Sequence, residues 1–171
     1  MITSLCSGGP VGVGRWDVHR GSPTGFASAA TSWTLPTYAG GAFRTLEGPT
    51  SCGAGTQPRY RLLDADGDDA PDLIVTGLCS GLGDLGRTEW AVHLGTGAGF
   101  GAALAWALPP DYLGSSLSDT ETVACASGSS PRYETLDLDG DGVMDFVATS
   151  FCSGSSMLGR THWSLHPGCL P

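Results

Sequence analysis

Two loops concentrate the residues of this chain that could do chemistry, Asp64-Ala-Asp-Gly-Asp-Asp-Ala-Pro-Asp72 and Asp137-Leu-Asp-Gly-Asp-Gly-Val-Met-Asp145. Their first residues, Asp64 and Asp137, stand 73 positions apart. Each loop spaces four carboxylates at relative positions 1, 3, 5 and 9: Asp64, Asp66, Asp68 and Asp72, then Asp137, Asp139, Asp141 and Asp145. Gly67 or Gly140 stands where the chain must turn sharply. Four like charges so close together repel unless a cation sits among them. Alternate spacing in a tight loop turns such oxygens inward, as a hard, oxygen-seeking ion requires. Calcium at two sites is the expectation. The alternative is a solvated acidic turn that only caps a hairpin, but the full pattern occurs twice.

Other chemistries find little footing. There is no G-x-S-x-G elbow, no phosphate loop and no H-E-x-x-H pair. The chain has no Lys, so amine catalysis is excluded, and its serines lie in Gly-rich turns without an adjacent His. Paired Asp residues can serve a glycosidase, but here they carry the spacing of a metal loop. No enzyme activity is expected. His19, His93 and His166 follow Trp16, Trp90 and Trp163 at equal spacing. Repeat-encoded packing is the plain reading. The functional alternative is a sugar-stacking platform at Trp90, His93, Trp163 and His166. A zinc or nickel site at His162, His166 and Cys169 is conceivable, and packing is preferred to it.

Composition narrows the class. The 171 residues suffice for one domain with a real core, and 27 Gly and 11 Pro favour many turns and short strands over helices. Two divalent ions, adding four positive charges to the formal −9, would leave −5. The acidity thus belongs largely to the two loops, and it argues against nucleic acid or anionic membranes as partners. No apolar run is long enough to span a bilayer. Six cysteines and calcium-type loops point to an extracellular or cell-surface setting. No basic and apolar signal segment opens the sequence, so a processed segment whose leader lies outside it is expected.

Aligning the two loops aligns almost everything else. Pro58-Arg-Tyr60 recurs as Pro131-Arg-Tyr133, and Thr76-Gly-Leu-Cys-Ser-Gly81 as Thr149-Ser-Phe-Cys-Ser-Gly154, with an earlier copy at Thr3-Ser-Leu-Cys-Ser-Gly8. Gly86-Arg-Thr-Glu-Trp90 recurs as Gly159-Arg-Thr-His-Trp163, and Trp33-Thr-Leu-Pro36 as Trp106-Ala-Leu-Pro109. So long a period signals stacked supersecondary units. Within one period four short strands are expected, at 59–63, 73–78, 89–94 and 102–108, joined by hairpin-length turns. The predicted class is all-β: four-stranded antiparallel propeller-type blades, about two and a half of them, with open ends. The units are 1–57, a partial blade of strands two to four, 58–130, a complete blade, and 131–171, a partial blade of strands one to three. Such a chain does not close on itself, and open edges invite self-assembly into a ring or a filament.

The loop cannot be an EF-hand, which needs Glu at position 12 where this chain has Val75 or Ala148. The pattern D-x-D-G-D-G-x-x-D before an apolar strand instead resembles the FG-GAP repeat, also called VCBS, of integrin α-subunit propellers and bacterial surface proteins. The Gly25-Phe26 and Gly99-Phe100 pairs fit its Gly-Phe element. The resemblance implies calcium in the hairpin between the first two strands. Its ligands would be the four Asp side chains of each loop plus the backbone carbonyl of Ala70 or Val143. The first loop departs from the pattern at Asp69, where the second has Gly142. Asp tolerates a left-handed backbone better than most residues, so the site is expected to survive there.

Cys52 and Cys79 bracket one such hairpin, and Cys125 and Cys152 bracket the other. Hairpin ends opposite the turn lie close together, so Cys52–Cys79 and Cys125–Cys152 bonds are expected. Cys6 and Cys169 remain as a default pair, within the chain or between subunits. The expected function is a calcium-stabilised extracellular structural or adhesive module that binds copies of itself. The alternative is a lectin-like module that binds carbohydrate or a surface protein through its disulfide-stapled loop face.

Overall fold

The computed structural model describes residues 11–38, 41–49, 57–81, 83–112, 117–120, 130–154 and 157–169. In chain order the strands are β1 (Arg15–Val18), β2 (Gly21–Ser22), β3 (Gly25–Phe26), β4 (Thr31–Thr34), β5 (Pro58–Leu63), β6 (Asp72–Leu78), β7 (Glu89–His93), β8 (Leu104–Ala107), β9 (Pro131–Leu136), β10 (Asp145–Phe151) and β11 (Ser164–His166). A single 3₁₀ turn, Pro110–Tyr112, is the only helical element among the described residues. None of their helices is long and apolar enough to cross a membrane.

The strands form open antiparallel sheets. β1 pairs with β4, and the short β2–β3 hairpin joins them. The second sheet runs β5-β6-β7-β8 in chain order, and the third runs β9-β10-β11. The four strands expected in the full repeat all form, and the fourth is trimmed to Leu104–Ala107. The strand expected near the chain start falls in residues 1–10, outside the described set. Both first-to-second strand pairs carry the same irregularity: Thr76 and Thr149 are skipped in the register. Each of these threonines bonds across to the neighbouring strand, to Arg59 O and Arg132 O.

Every residue of β6 from Asp72 to Gly77 is buried. Successive strand side chains point to opposite faces. Leu73 and Val75 therefore pack with Trp16, Trp33, Leu35, Phe43 and Tyr60, while Ile74 packs with Trp90, Val92, Tyr133 and Phe146. The second sheet is thus sandwiched between the first and the third, with two apolar layers in place of one core. Aromatic contacts tie the layers together: Trp16 and Trp33 meet Phe100 edge-on, and Trp90 meets Tyr133 and Phe146 at a tilt.

The third sheet has a neighbour on one face only among the described residues. Trp163 is 64% exposed and Leu165 41%, whereas their repeat equivalents Trp90 and Val92 are 2% and 0% exposed. Leu138, equivalent to the buried Ala65, is exposed as well. On the first sheet Phe26 is exposed, although its equivalent Phe100 packs inside. Identical sequence positions therefore end up in core or in solvent according to what faces them.

Candidate metal centres

The acidic loops join β5 to β6 and β9 to β10, where β6 and β10 begin at Asp72 and Asp145. Each loop folds on its own carboxylates. Asp64 Oδ1 and Oδ2 accept from the N–H groups of Gly67 and Asp69, at 2.8 and 3.0 Å. Asp137 accepts in the same way from Gly140 and Gly142, at 2.7 and 3.0 Å. Asp66 and Asp139 accept from Asp68 N and Asp141 N. The ninth residue, buried in both loops, ties the loop to its base. Asp72 accepts from Ala65 N and Gly95 N, and Asp145 from Leu138 N and Gly168 N. The two loops are copies down to the individual bond.

This arrangement brings Asp64, Asp66 and Asp72 together, and likewise Asp137, Asp139 and Asp145, with one carboxylate oxygen of each within 4.8 Å of the others. Oxygens that share one Ca²⁺ at 2.3–2.6 Å lie at most about 5 Å apart, so each triad could hold such an ion. Asp68 and Asp141 stand outside these groups. Their Oδ1 atoms accept from Ala70 N and Val143 N. Burial pushes the Asp72 carboxyl above its usual range, and the charges of Asp66 and Asp68 add to this against the two N–H donors. A cation would favour the ionised form that these surroundings disfavour.

Backbone geometry explains the glycines. Gly67 and Gly140 have φ of 76° and 82°, a left-handed conformation that side chains resist. Asp69, where the second loop has Gly142, adopts φ 64°. It is the one residue other than glycine with positive φ among the described residues, and Asp is among the few that tolerate it.

The sequence treats the loops as separate, but the structure sets them side by side. A Cβ placed on Gly67 would fall 2.5 Å from Gly142 O and 2.8 Å from Gly142 Cα. Met144 N also donates to Ala65 O at 3.3 Å, from one loop to the other. Glycine at a turn was visible in the sequence as a need for positive φ. Nothing in a single repeat signals the second need, close approach to a neighbouring loop.

Cys79 and Cys152 are both disulfide-bonded. Their expected partners Cys52 and Cys125 lie outside the described residues, as does Cys6. Cys169 is a free, exposed thiol, so the expected Cys6–Cys169 bond is not formed within the chain.

The proposed ligand platform is dispersed. Trp90 and His93 are buried between sheets, out of reach of a surface ligand. His93 is held by Tyr38 Oη at 2.8 Å and Gly101 O at 2.9 Å. Burial lowers its pKa and pushes that of Tyr38 up to about 12. His166 is half-buried against Tyr112 and Phe146, and bonds Ser164. His162 bonds Thr161. Only Trp163 of the four lies in the open.

No protein-family model matches the chain, and no curated protein or solved structure does either.

Proposed function

We propose that this chain is a calcium-stabilised, extracellular structural or adhesive module of FG-GAP-type propeller blades that assembles with copies of itself. The observation that carries the reading is the pair of identically bonded acidic triads, placed at the turns that join strands and touching each other. Charge is concentrated where the sheets are pinned. Each triad is occupied by loop-closing hydrogen bonds, as suits a structural ion better than a catalytic one. The ligands are the Asp side chains of both loops with the carbonyls of Ala70 and Val143. Disulfides Cys52–Cys79 and Cys125–Cys152 staple the opposite ends of the hairpins. Assembly is supported by the exposed apolar faces, which carry Trp163, Leu165 and Leu138 at one end and Phe26 at the other.

Thermal unfolding with calcium and with EDTA tests the metal. At 100-fold excess of Ca²⁺ over Kd each site adds about 2.7 kcal/mol. Sedimentation and negative-stain microscopy over a range of protein concentrations test the assembly. A melting temperature unchanged by EDTA removes the calcium reading. A chain that stays monomeric at every concentration removes the assembly.

A further inference from the structure

A short turn recurs in all three sheets. Gly12 N donates to Arg15 O, Gly86 N to Glu89 O, and Gly159 N to His162 O, at 2.7, 2.9 and 2.9 Å. The three glycines share positive φ of 87°, 77° and 82°. In each sheet a Trp follows the turn: Trp16, Trp90 and Trp163.

In the first two sheets this turn and its Trp hold a stretch of chain that belongs to no strand. Phe43 N donates to Gly12 O at 2.6 Å, and Trp16 Nε1 donates back to Phe43 O at 2.5 Å. Leu117 N donates to Gly86 O at 2.8 Å, and Trp90 Nε1 donates to Leu117 O at 2.6 Å. One residue is thus gripped by both its backbone groups. Its side chain enters the core, where Phe43 and Leu117 are 0% exposed. In the second sheet the grip continues along the segment. Arg59 reaches Ser118 Oγ and pairs with Asp119 at 2.8 Å, Thr76 Oγ1 donates to Ser118 O, and Arg61 donates to Thr120 Oγ1.

The third sheet carries the same turn with no described segment in it. Gly159, Arg160, Thr161, His162 and Trp163 line an open groove there. The flanking positions are also kept, with one change: Arg132 and Thr149 repeat Arg59 and Thr76, but Glu134 stands where Arg61 stood. Both Arg132 and Glu134 are exposed.

We propose that this groove binds an extended segment of a partner polypeptide, of the form bulky apolar residue, Ser, Asp, basic residue. The apolar residue is held by Gly159 O and Trp163 Nε1, as Phe43 and Leu117 are held by their own sheets. Arg132 takes the Ser and Asp. Glu134 selects Lys or Arg where the internal segment has Thr120. Two backbone hydrogen bonds supply register, the apolar side chain supplies most of the affinity, and the Arg–Glu pair supplies the choice of partner. The site depends neither on the metal nor on self-assembly.

The probe is a capped peptide of residues 115–120 carrying Thr120→Lys, titrated into the calcium-loaded chain with tryptophan indole N–H signals followed by NMR. The Trp163 signal is expected to shift saturably while those of Trp16 and Trp90 stay in place and report an intact fold. Leu117→Ala in the peptide should weaken binding by roughly 3- to 10-fold, from the loss of a Leu covered on one side. Restoring Thr120 should weaken it by roughly 1.5- to 5-fold, the range for an exposed ion pair. Trp163→Phe in the protein, which keeps a ring but removes the donor and with it the indole signal, should cost roughly 2- to 10-fold when the same peptide is titrated by calorimetry into both chains. An unmoved Trp163 signal at about 1 mM peptide, a saturating concentration for all but the weakest complexes, overturns the proposal. So does equal binding of the Leu117→Ala peptide, equal binding to the Trp163→Phe chain, or a Trp163 shift that follows protein concentration and ignores peptide.

Discussion

Gly67 and Gly140 occupy the same loop position with nearly the same φ, 76° and 82°, yet they should respond very differently to a methyl group. A Cβ on Gly140 meets nothing within 4 Å, whereas one on Gly67 meets the backbone of Gly142 at 2.5–2.9 Å. Gly140→Ala therefore isolates the conformational cost. That cost is about 1–2 kcal/mol for a left-handed L-residue, offset by about 0.4–1 kcal/mol through the stiffer unfolded chain, for a net loss of about 1 kcal/mol. Gly67→Ala carries the same cost and must also part the two loops by roughly an ångström, since backbone cannot rotate away as a side chain can. Overpacking of this kind adds about 1–3 kcal/mol. Loss of the bond from Met144 N to Ala65 O adds about 0.5–1.5 kcal/mol. The expected totals are about 1 kcal/mol for Gly140→Ala and about 3 kcal/mol or more for Gly67→Ala. At about 2–4 °C per kcal/mol for a domain of this size, the two melting temperatures should differ by at least about 4 °C. Calorimetry of both variants, with EDTA and with calcium, measures the difference. Since Gly67 presses on the second loop, its variant should also weaken calcium binding at Asp137, Asp139 and Asp145, as titration calorimetry would report. Equal melting temperatures for the two variants would refute the side-by-side placement of the loops.

The two tryptophans that follow the Gly-Arg-Thr turns form a second matched pair. Trp90→Ala should cost about 3–5 kcal/mol as a large core truncation, and Trp163→Ala less than about 0.5 kcal/mol in the monomer, both measured by urea unfolding. Comparable losses would contradict the assignment of Trp163 to an open face. His93 supplies a pH test. Its folded pKa lies below the unfolded value of about 6.5, so the unfolded chain takes up the proton first. Stability is then full above that pH and declines as pH falls below it. A His93→Gln variant should lose this part of the slope between about pH 7 and 5. Identical profiles for the two proteins would place His93 outside the core.

Much of this organisation was legible in the chain itself, for physical reasons that differ from feature to feature. The loops were readable because carboxylate spacing and turn glycines act within nine residues. The strands were readable because alternation and turn residues are local. Cooperation of all four carboxylates was expected, and in each loop three of them, Asp64, Asp66 and Asp72 or Asp137, Asp139 and Asp145, bring an oxygen within 4.8 Å of one another. Sequence reading likewise treated Trp90 and Trp163, or His93 and His166, as equivalents.

What the sequence determined by itself is the repeated unit: a hairpin with an acidic turn, a Trp-bearing strand, and the glycines that let the turns close. Their causes lie within a few residues, and a second copy of the motif repeats them. The tertiary structure alone decided which copies are buried, that the two acidic loops touch, and that the turn before Trp163 stands open while those before Trp16 and Trp90 are filled. Burial is set by the surface a neighbour presents. Trp90 and Trp163 carry the same local instructions, and among the described residues only Trp90 has a sheet to face.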